Sequence, residues 1–203
     1  VRCAAELGTA LARRGLDLVY GGSAGGIMGA VASGVRDAGG YVIGVIPGHL
    51  TQHDPVNVDV NECHVVETMH ERKALMYQPS ASFIALPGGF GTLDELFETL
   101  TWHKLGLHRK PIAILNVAGY FDPLADLLDR ATAHGFLSTD DRQLVHVVTD
   151  VAAALQVADP DRLVRPSRST VTEPAAISCG RLRADRGLTG TTGDRRPGEL
   201  AVG

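Results

Sequence analysis

Apolar residues along the first 157 positions recur alternately at helical spacing and in short unbroken runs. Leu7, Leu11 and the alanines around them fall on one face of a helix over about residues 1–15, stopped by Gly15 behind Arg13 and Arg14. Leu16–Tyr20 is a strand-length apolar run. It enters a glycine-rich turn and then a helix from Ile27 to Ala38, closed by Gly39 and Gly40. Tyr41–Ile46, Cys63–Val66, Phe83–Leu86, Pro111–Leu115 and Leu144–Val148 read as further strands. Between them the pattern predicts a loop over 49–61 and helices over Thr68–Gln78, Thr92–Leu105 and a stretch ending at Gly135, with a short helix over Val151–Val157 last. The third of these helices is expected to be capped by Asp122, with Pro123 at its first position. Strands alternating with helices predict βαβ units. The fold class is therefore α/β: a Rossmann-like, doubly wound parallel sheet with helices on both faces. In such sheets ligands sit at the carboxyl ends of strands, near the point where strand order reverses.

The pattern stops after Ala158. Residues 166–203 are rich in Pro, Gly, Ser, Thr and Arg without periodicity, which predicts a domain over 1–158 and an unstructured tail over 159–203. The net charge of −4 is unevenly spread, because the tail carries eight arginines against six acidic residues and leaves the domain more acidic than the whole. An acidic body argues against a nucleic-acid binder but leaves room for a small phosphorylated ligand. No apolar run approaches the roughly 18 residues of a membrane helix, so no membrane role is expected. Cys3, Cys63 and Cys179 form no CxxC, which suits a reducing cytoplasm. The histidines show no metal-ligand spacing, and no metal is expected.

Three segments carry candidate chemistry. The first, GGSAGGIMG over Gly21–Gly29, follows a strand and opens a helix, where unpaired amides can receive an anion. Gly21, Gly22, Gly25 and Gly26 are the candidate binding residues, though a tight strand-to-helix turn explains them equally well. The second, PGGFGTLDE, holds Gly88, Gly89, Phe90, Gly91, Thr92, Leu93, Asp94 and Glu95. Here Thr92 and Glu95 fit a T-x-x-E capping box, so Glu95 has either a structural or a chemical role. The third, TMHERKA over Thr68–Ala74, offers a second such box in Thr68 and Glu71. It also places Arg72 and Lys73 in a helix's first turn, against the positive end of the dipole. Either both cations point into solvent, or an anion such as a phosphate or Glu95 compensates them.

Together these stretches resemble the LOG ("Lonely guy") family of cytokinin riboside 5′-monophosphate phosphoribohydrolases over residues 1 to about 157. The resemblance rests on VYGGSAGGIMG, VIGVIP, VVETMHERKALM, FIALPGGFGTLDELFETLTWHKLGLHRKPIAILN and GYFDPLADLLDRA. It implies hydrolysis of the N-glycosidic bond of adenosine-type 5′-monophosphates to free base and ribose 5-phosphate, in a cytoplasmic homodimer without a cofactor. Arg72 and Glu95 match the family's catalytic positions. Lys73 and Gly89 through Asp94 match substrate-binding positions, with Thr101 and Asp54 as looser matches. The old label of lysine decarboxylase fits poorly, since Lys73, Lys104 and Lys110 sit in no cofactor motif.

Two departures follow from the same comparison. The family pattern begins with a central strand and a serine-bearing glycine turn ahead of the helix that opens this chain at Val1. A gap is therefore expected in the middle of the sheet. Ser23 stands where a third glycine is common. A non-catalytic nucleotide-binding or carrier protein on the same fold is the alternative reading.

Overall fold

The computed structural model describes residues 1–52, 56–159 and 199–202. Seven helices and seven strands are described: α1 (Arg2–Arg13), β1 (Asp17–Tyr20), α2 (Gly26–Asp37), β2 (Val42–Pro47), β3 (Glu62–Val66), α3 (Met69–Tyr77), β4 (Ser80–Ala85), α4 (Phe90–Lys104), β5 (Ile112–Leu115), α5 (Asp122–Ala133), α6 (Thr139–Gln143), β6 (His146–Val148), α7 (Val151–Val157) and β7 (Glu199–Val202). The strands form one sheet in the order β3-β2-β1-β7-β4-β5-β6, and every pairing is parallel.

Side chains alternate across this sheet, as the pleat requires. Leu18, Tyr20, Ile84, Ala113 and Leu115 pack with Leu7 and Leu11 of α1, Val31 and Val35 of α2, and Leu155 of α7. Their neighbours Ala85, Ile112 and Ile114 face the other way, against Leu96 of α4 and Leu128 of α5, while Val19, Ile43 and Val45 meet Met76 of α3. The sheet is thus covered on both faces, which is the doubly wound arrangement expected. Helices α1 and α2 approach closely because Gly8 and Gly34 lack side chains. A β-carbon on either would strike the other helix's backbone.

The middle of the sheet differs from expectation. The slot between β1 and β4 is filled by β7, with Leu18 opposite Leu200 and Tyr20 opposite Val202 on one side, and Ser82 opposite Leu200 on the other. Leu200 is buried among Leu18, Ile84, Leu86 and Leu155. The predicted unstructured tail therefore contains a central strand at Glu199–Val202. The rest of that tail, residues 160–198, lies outside the described residues. Apolar pattern alone could not place this strand, because ELAV supplies four residues and all of its partners are distant in sequence.

Smaller differences have local causes. Strand β4 starts at Ser80 rather than Phe83, since the hydroxyls of Ser80 and Ser82 are satisfied by the carbonyls of Met76 (2.6 Å) and Ala158 (2.8 Å) and can be buried. Asp122 does not cap α5. It is the first residue of that helix, and its carboxylate accepts instead from Nδ2 of Asn116 at 2.7 Å. Helix α6 was not expected; Ser138 caps it by accepting from the amide of Asp141 at 3.0 Å. Among the described residues no helix is long and apolar enough to cross a membrane.

Candidate functional site

Both glycine segments emerge at the carboxyl edge of the sheet, one after β1 and one after β4, on either side of β7. The first is a shaped turn. Gly22 and Gly26 have φ of 78° and 60°, a region open to glycine at no steric cost. Oγ of Ser23 accepts from the Gly25 amide at 3.2 Å, so the serine supports the turn in place of a further glycine. Residues 56–57 stitch this turn down: Ser23 bridges Val56, and the Asn57 amide donates to the Gly22 carbonyl at 3.0 Å. Gly25 then caps α2.

In the second segment Glu95 is not a capping residue. Helix α4 begins at Phe90 with Gly89 as its N-cap, and no side chain caps it. The capping box of Thr92 and Glu95 does not form. Thr92 instead lies against Gly88, where a β-carbon would collide with its hydroxyl. Glu95 is left to turn toward α3, and Oε1 lies 3.2 Å from Nη1 of Arg72. The other box does form: Thr68 accepts from the Glu71 amide at 3.1 Å, and Glu71 accepts from the Thr68 amide at 3.2 Å.

The two cations in the first turn of α3 therefore meet anions on α4. Arg72 pairs with Glu95, and its Nε donates to the Val45 carbonyl at 3.3 Å. Lys73 lies 2.7 Å from Asp94 and 3.2 Å from Glu98. Burial alone would lower the Lys73 ammonium, but the bonds to Asp94 and Glu98 outweigh it and raise its pKa. Burial pushes the Glu95 carboxyl up, while Arg72 and Lys73 pull it back only in part. The burial has a visible source, for behind Glu95 lies a narrow apolar hollow walled by Met76, Tyr77, Phe83 and Trp102.

These parts surround a cleft of about 520 Å³, within the usual range for small-molecule sites. Its wall includes Gly25, Gly26, Arg72, Gly88, Gly89, Gly91, Thr92 and Glu95 from the predicted set, together with Ser23, Ile27, Met28 and Pro87. At Gly89 and Gly91 an added β-carbon would meet nothing, so both positions at the start of α4 are open. Gly21 stands just behind, against Arg72. The remaining predicted residues are placed elsewhere. Phe90 is 93% exposed, Leu93 packs into the core under α4, and Asp94 and Lys73 pair with each other outside the wall. The hydroxyl of Thr101 donates to the Phe97 carbonyl of its own helix, away from the cleft. Asp54 lies outside the described residues. Ile27 and Met28 escaped prediction because apolar residues there are equally good core positions.

An open parallel sheet with two glycine turns and a half-buried Arg–Glu pair around one cleft defines a Rossmann-like α/β protein with its cleft at the switch point. The chain belongs to the family described as "possible lysine decarboxylase", which it matches over residues 28–157. The LOG resemblance points to the same family. Similar relatives are the cytokinin riboside 5′-monophosphate phosphoribohydrolase LOG of Oryza sativa subsp. japonica, 49% identical over 142 residues, and LOG4 of Arabidopsis thaliana, also 49% identical over 142 residues. Each alignment covers 70% of this chain, and 59% and 66% of those relatives respectively. The chain thus spans about six-tenths of the length of the curated relatives it matches. Among solved structures it resembles the molybdenum cofactor carrier protein of Chlamydomonas reinhardtii, with TM-score 0.56 and 28% identity over 76% of this chain and 82% of that one.

Proposed function

We propose that this protein hydrolyses the N-glycosidic bond of adenosine 5′-monophosphates, N6-modified ones included, releasing the free base and ribose 5-phosphate. The observation that carries the reading is the Arg72–Glu95 pair at 3.2 Å in the wall of a cleft whose rim is two open glycine turns. The relatives named as phosphoribohydrolases support it.

The chemistry suits these groups. Amides at the starts of α2 and α4 receive the 5′-phosphate, helped by the positive ends of both helices. That remote binding positions the sugar. Cleavage of the bond to the base develops positive charge on the ribose, as in glycoside hydrolysis. Ionised Glu95 stabilises that charge and takes a proton from the attacking water. Water adds to the sugar carbon, the base leaves with its bonding pair and a proton, and Arg72 holds Glu95 in place.

The label of lysine decarboxylase gains nothing from the lysines. Lys73 is paired with two carboxylates, Lys104 lies 3.0 Å from Asp141, and Lys110 donates to the Tyr77 carbonyl at 2.6 Å.

The protein is read as a homodimer of the cytoplasm. The apolar exposure of Phe97, Leu105 and Leu107 on and after α4 suits a helix that packs on a second copy. The widely spaced cysteines suit a reducing compartment.

The test is incubation with AMP and with isopentenyladenosine monophosphate, followed by detection of free base. Base release that falls about 10²–10⁴-fold in Glu95→Gln is the expected result. The likeness to the carrier protein gives the second reading, a nucleotide-binding protein without catalysis. Tight AMP binding with no base released would favour that one.

A further inference from the structure

We propose that Tyr120 is a positioning residue, which sets the second glycine turn so that its amides face the phosphate. This rests on the reading that the turn receives a 5′-phosphate.

The hydroxyl of Tyr120 donates to the Gly88 carbonyl at 2.6 Å, across a separation of 32 residues. A trans peptide is planar, so the Gly88 carbonyl and the Gly89 N–H point in opposite directions from one rigid unit. No cis peptide occurs among the described residues. Holding the carbonyl with Tyr120 therefore commits the Gly89 N–H to the opposite side. Glycine needs such a restraint more than other residues, because its backbone turns freely. Gly88 and Gly89 are adjacent, and Gly89 opens α4.

The loop that carries Tyr120 is built to hold it there. Asn116 is buried and uses both ends of its amide: Oδ1 accepts from the Phe121 amide and Nδ2 donates to Oδ1 of Asp122, both at 2.7 Å. Its backbone amide donates to the Val148 carbonyl at 2.7 Å, which ties the loop to β6. Phe121 is buried in the core, and its ring meets that of Tyr120 edge-on at 5.0 Å. Between these anchors Ala118 has φ of 52° and Gly119 of 73°. Alanine adopts such a backbone only where the surroundings dictate it, and such residues concentrate at ligand clamps. Tyr120 itself is 52% exposed, so packing alone does not explain a loop held this firmly beneath it.

The test compares the full chain with Tyr120→Phe, which removes the hydroxyl and keeps the ring. Affinities for AMP and for adenosine are measured by calorimetry, with thermal unfolding alongside. The expected result is a loss of AMP affinity of about 3- to 10-fold with adenosine affinity unchanged, and a Tm lowered by no more than the loss of one hydrogen bond explains. In turnover the same change appears as a raised KM with kcat kept. Unchanged AMP affinity would overturn the proposal. So would an equal loss for both ligands with a lowered Tm, which is the mark of a merely structural contact. A wild-type protein that binds AMP no better than adenosine overturns the phosphate reading and this inference with it. One that prefers AMP but releases no base overturns only the hydrolase reading, and the Tyr120 comparison still decides.

Discussion

The guanidinium of Arg72 occupies the space a side chain at position 21 would need: a β-carbon on Gly21 would collide with its Nη2. The other terminal nitrogen of that guanidinium is the one that meets Glu95. Gly21 is buried beneath it, so the guanidinium, at the end of a flexible side chain that lines the cleft, is the partner that must move. Gly21→Ala should therefore fold but displace Arg72 and Glu95 together. Base release is expected to fall about 10- to 100-fold, the usual cost of misplacing a catalytic group by about an ångström. Stability should fall by no more than about 1 kcal/mol in urea unfolding, because the atoms displaced are the ends of the flexible Arg72 and Met28 side chains.

Arg72→Leu separates charge from space. Glu95 is pushed up by burial, and Arg72 is the foremost group pulling it back. Without the guanidinium the carboxyl pKa rises further. In the proposed mechanism Glu95 works ionised, so the acid limb of the kcat/KM profile must move to higher pH. Plateau activity should drop about 10²-fold with the lost alignment. A pH–rate profile whose acid limb stays in place would remove Glu95 from the role of base.

His108 makes stability depend on pH. Its Nε2 donates to the Thr99 carbonyl at 2.9 Å, and its Nδ1 accepts from the Lys110 amide at 3.0 Å. Only the neutral ring satisfies both. Burial leads in lowering its pKa from 6.5 to about 4. The folded-state value lies below the unfolded one, so the unfolded chain binds the proton first. Stability should be lost as pH falls from 6.5 toward 4. Urea midpoints measured across that window should fall more steeply for the wild type than for His108→Gln.

Leu200 carries the middle of the sheet. Leu200→Ala opens a cavity beside Leu18 and Leu155 and should cost about 2–5 kcal/mol, measured by urea unfolding. A chain ended at residue 198 leaves β1 and β4 unpaired on their facing edges, and it should release no base.

Much of the site was readable before any geometry. The misfit of Arg72 and Lys73 with the dipole of α3 called for anions, and Glu95, Asp94 and Glu98 supply them. The two T-x-x-E boxes looked alike in sequence, yet only Thr68–Glu71 forms. The difference lies upstream, because Gly89 starts α4 early enough to place Thr92 and Glu95 inside the helix. Local spacing cannot report where a neighbouring glycine begins a helix. Tyr120 was invisible for a related reason: its partner is 32 residues away and is a backbone carbonyl. Six of the seven strands follow from apolar runs. The seventh has a run too short to stand out and gains its burial only from partners nearly 120 or more residues distant.

That seventh strand ties the two halves of the sheet together. Residues 17–148 supply two ribbons of three strands each, and residues 199–202 are the piece that joins them. Joining them also closes very long loops, which slows folding. Four residues thus hold together two half-sheets and the cleft edge they share, so whatever loosens Glu199–Val202 loosens the cleft from behind.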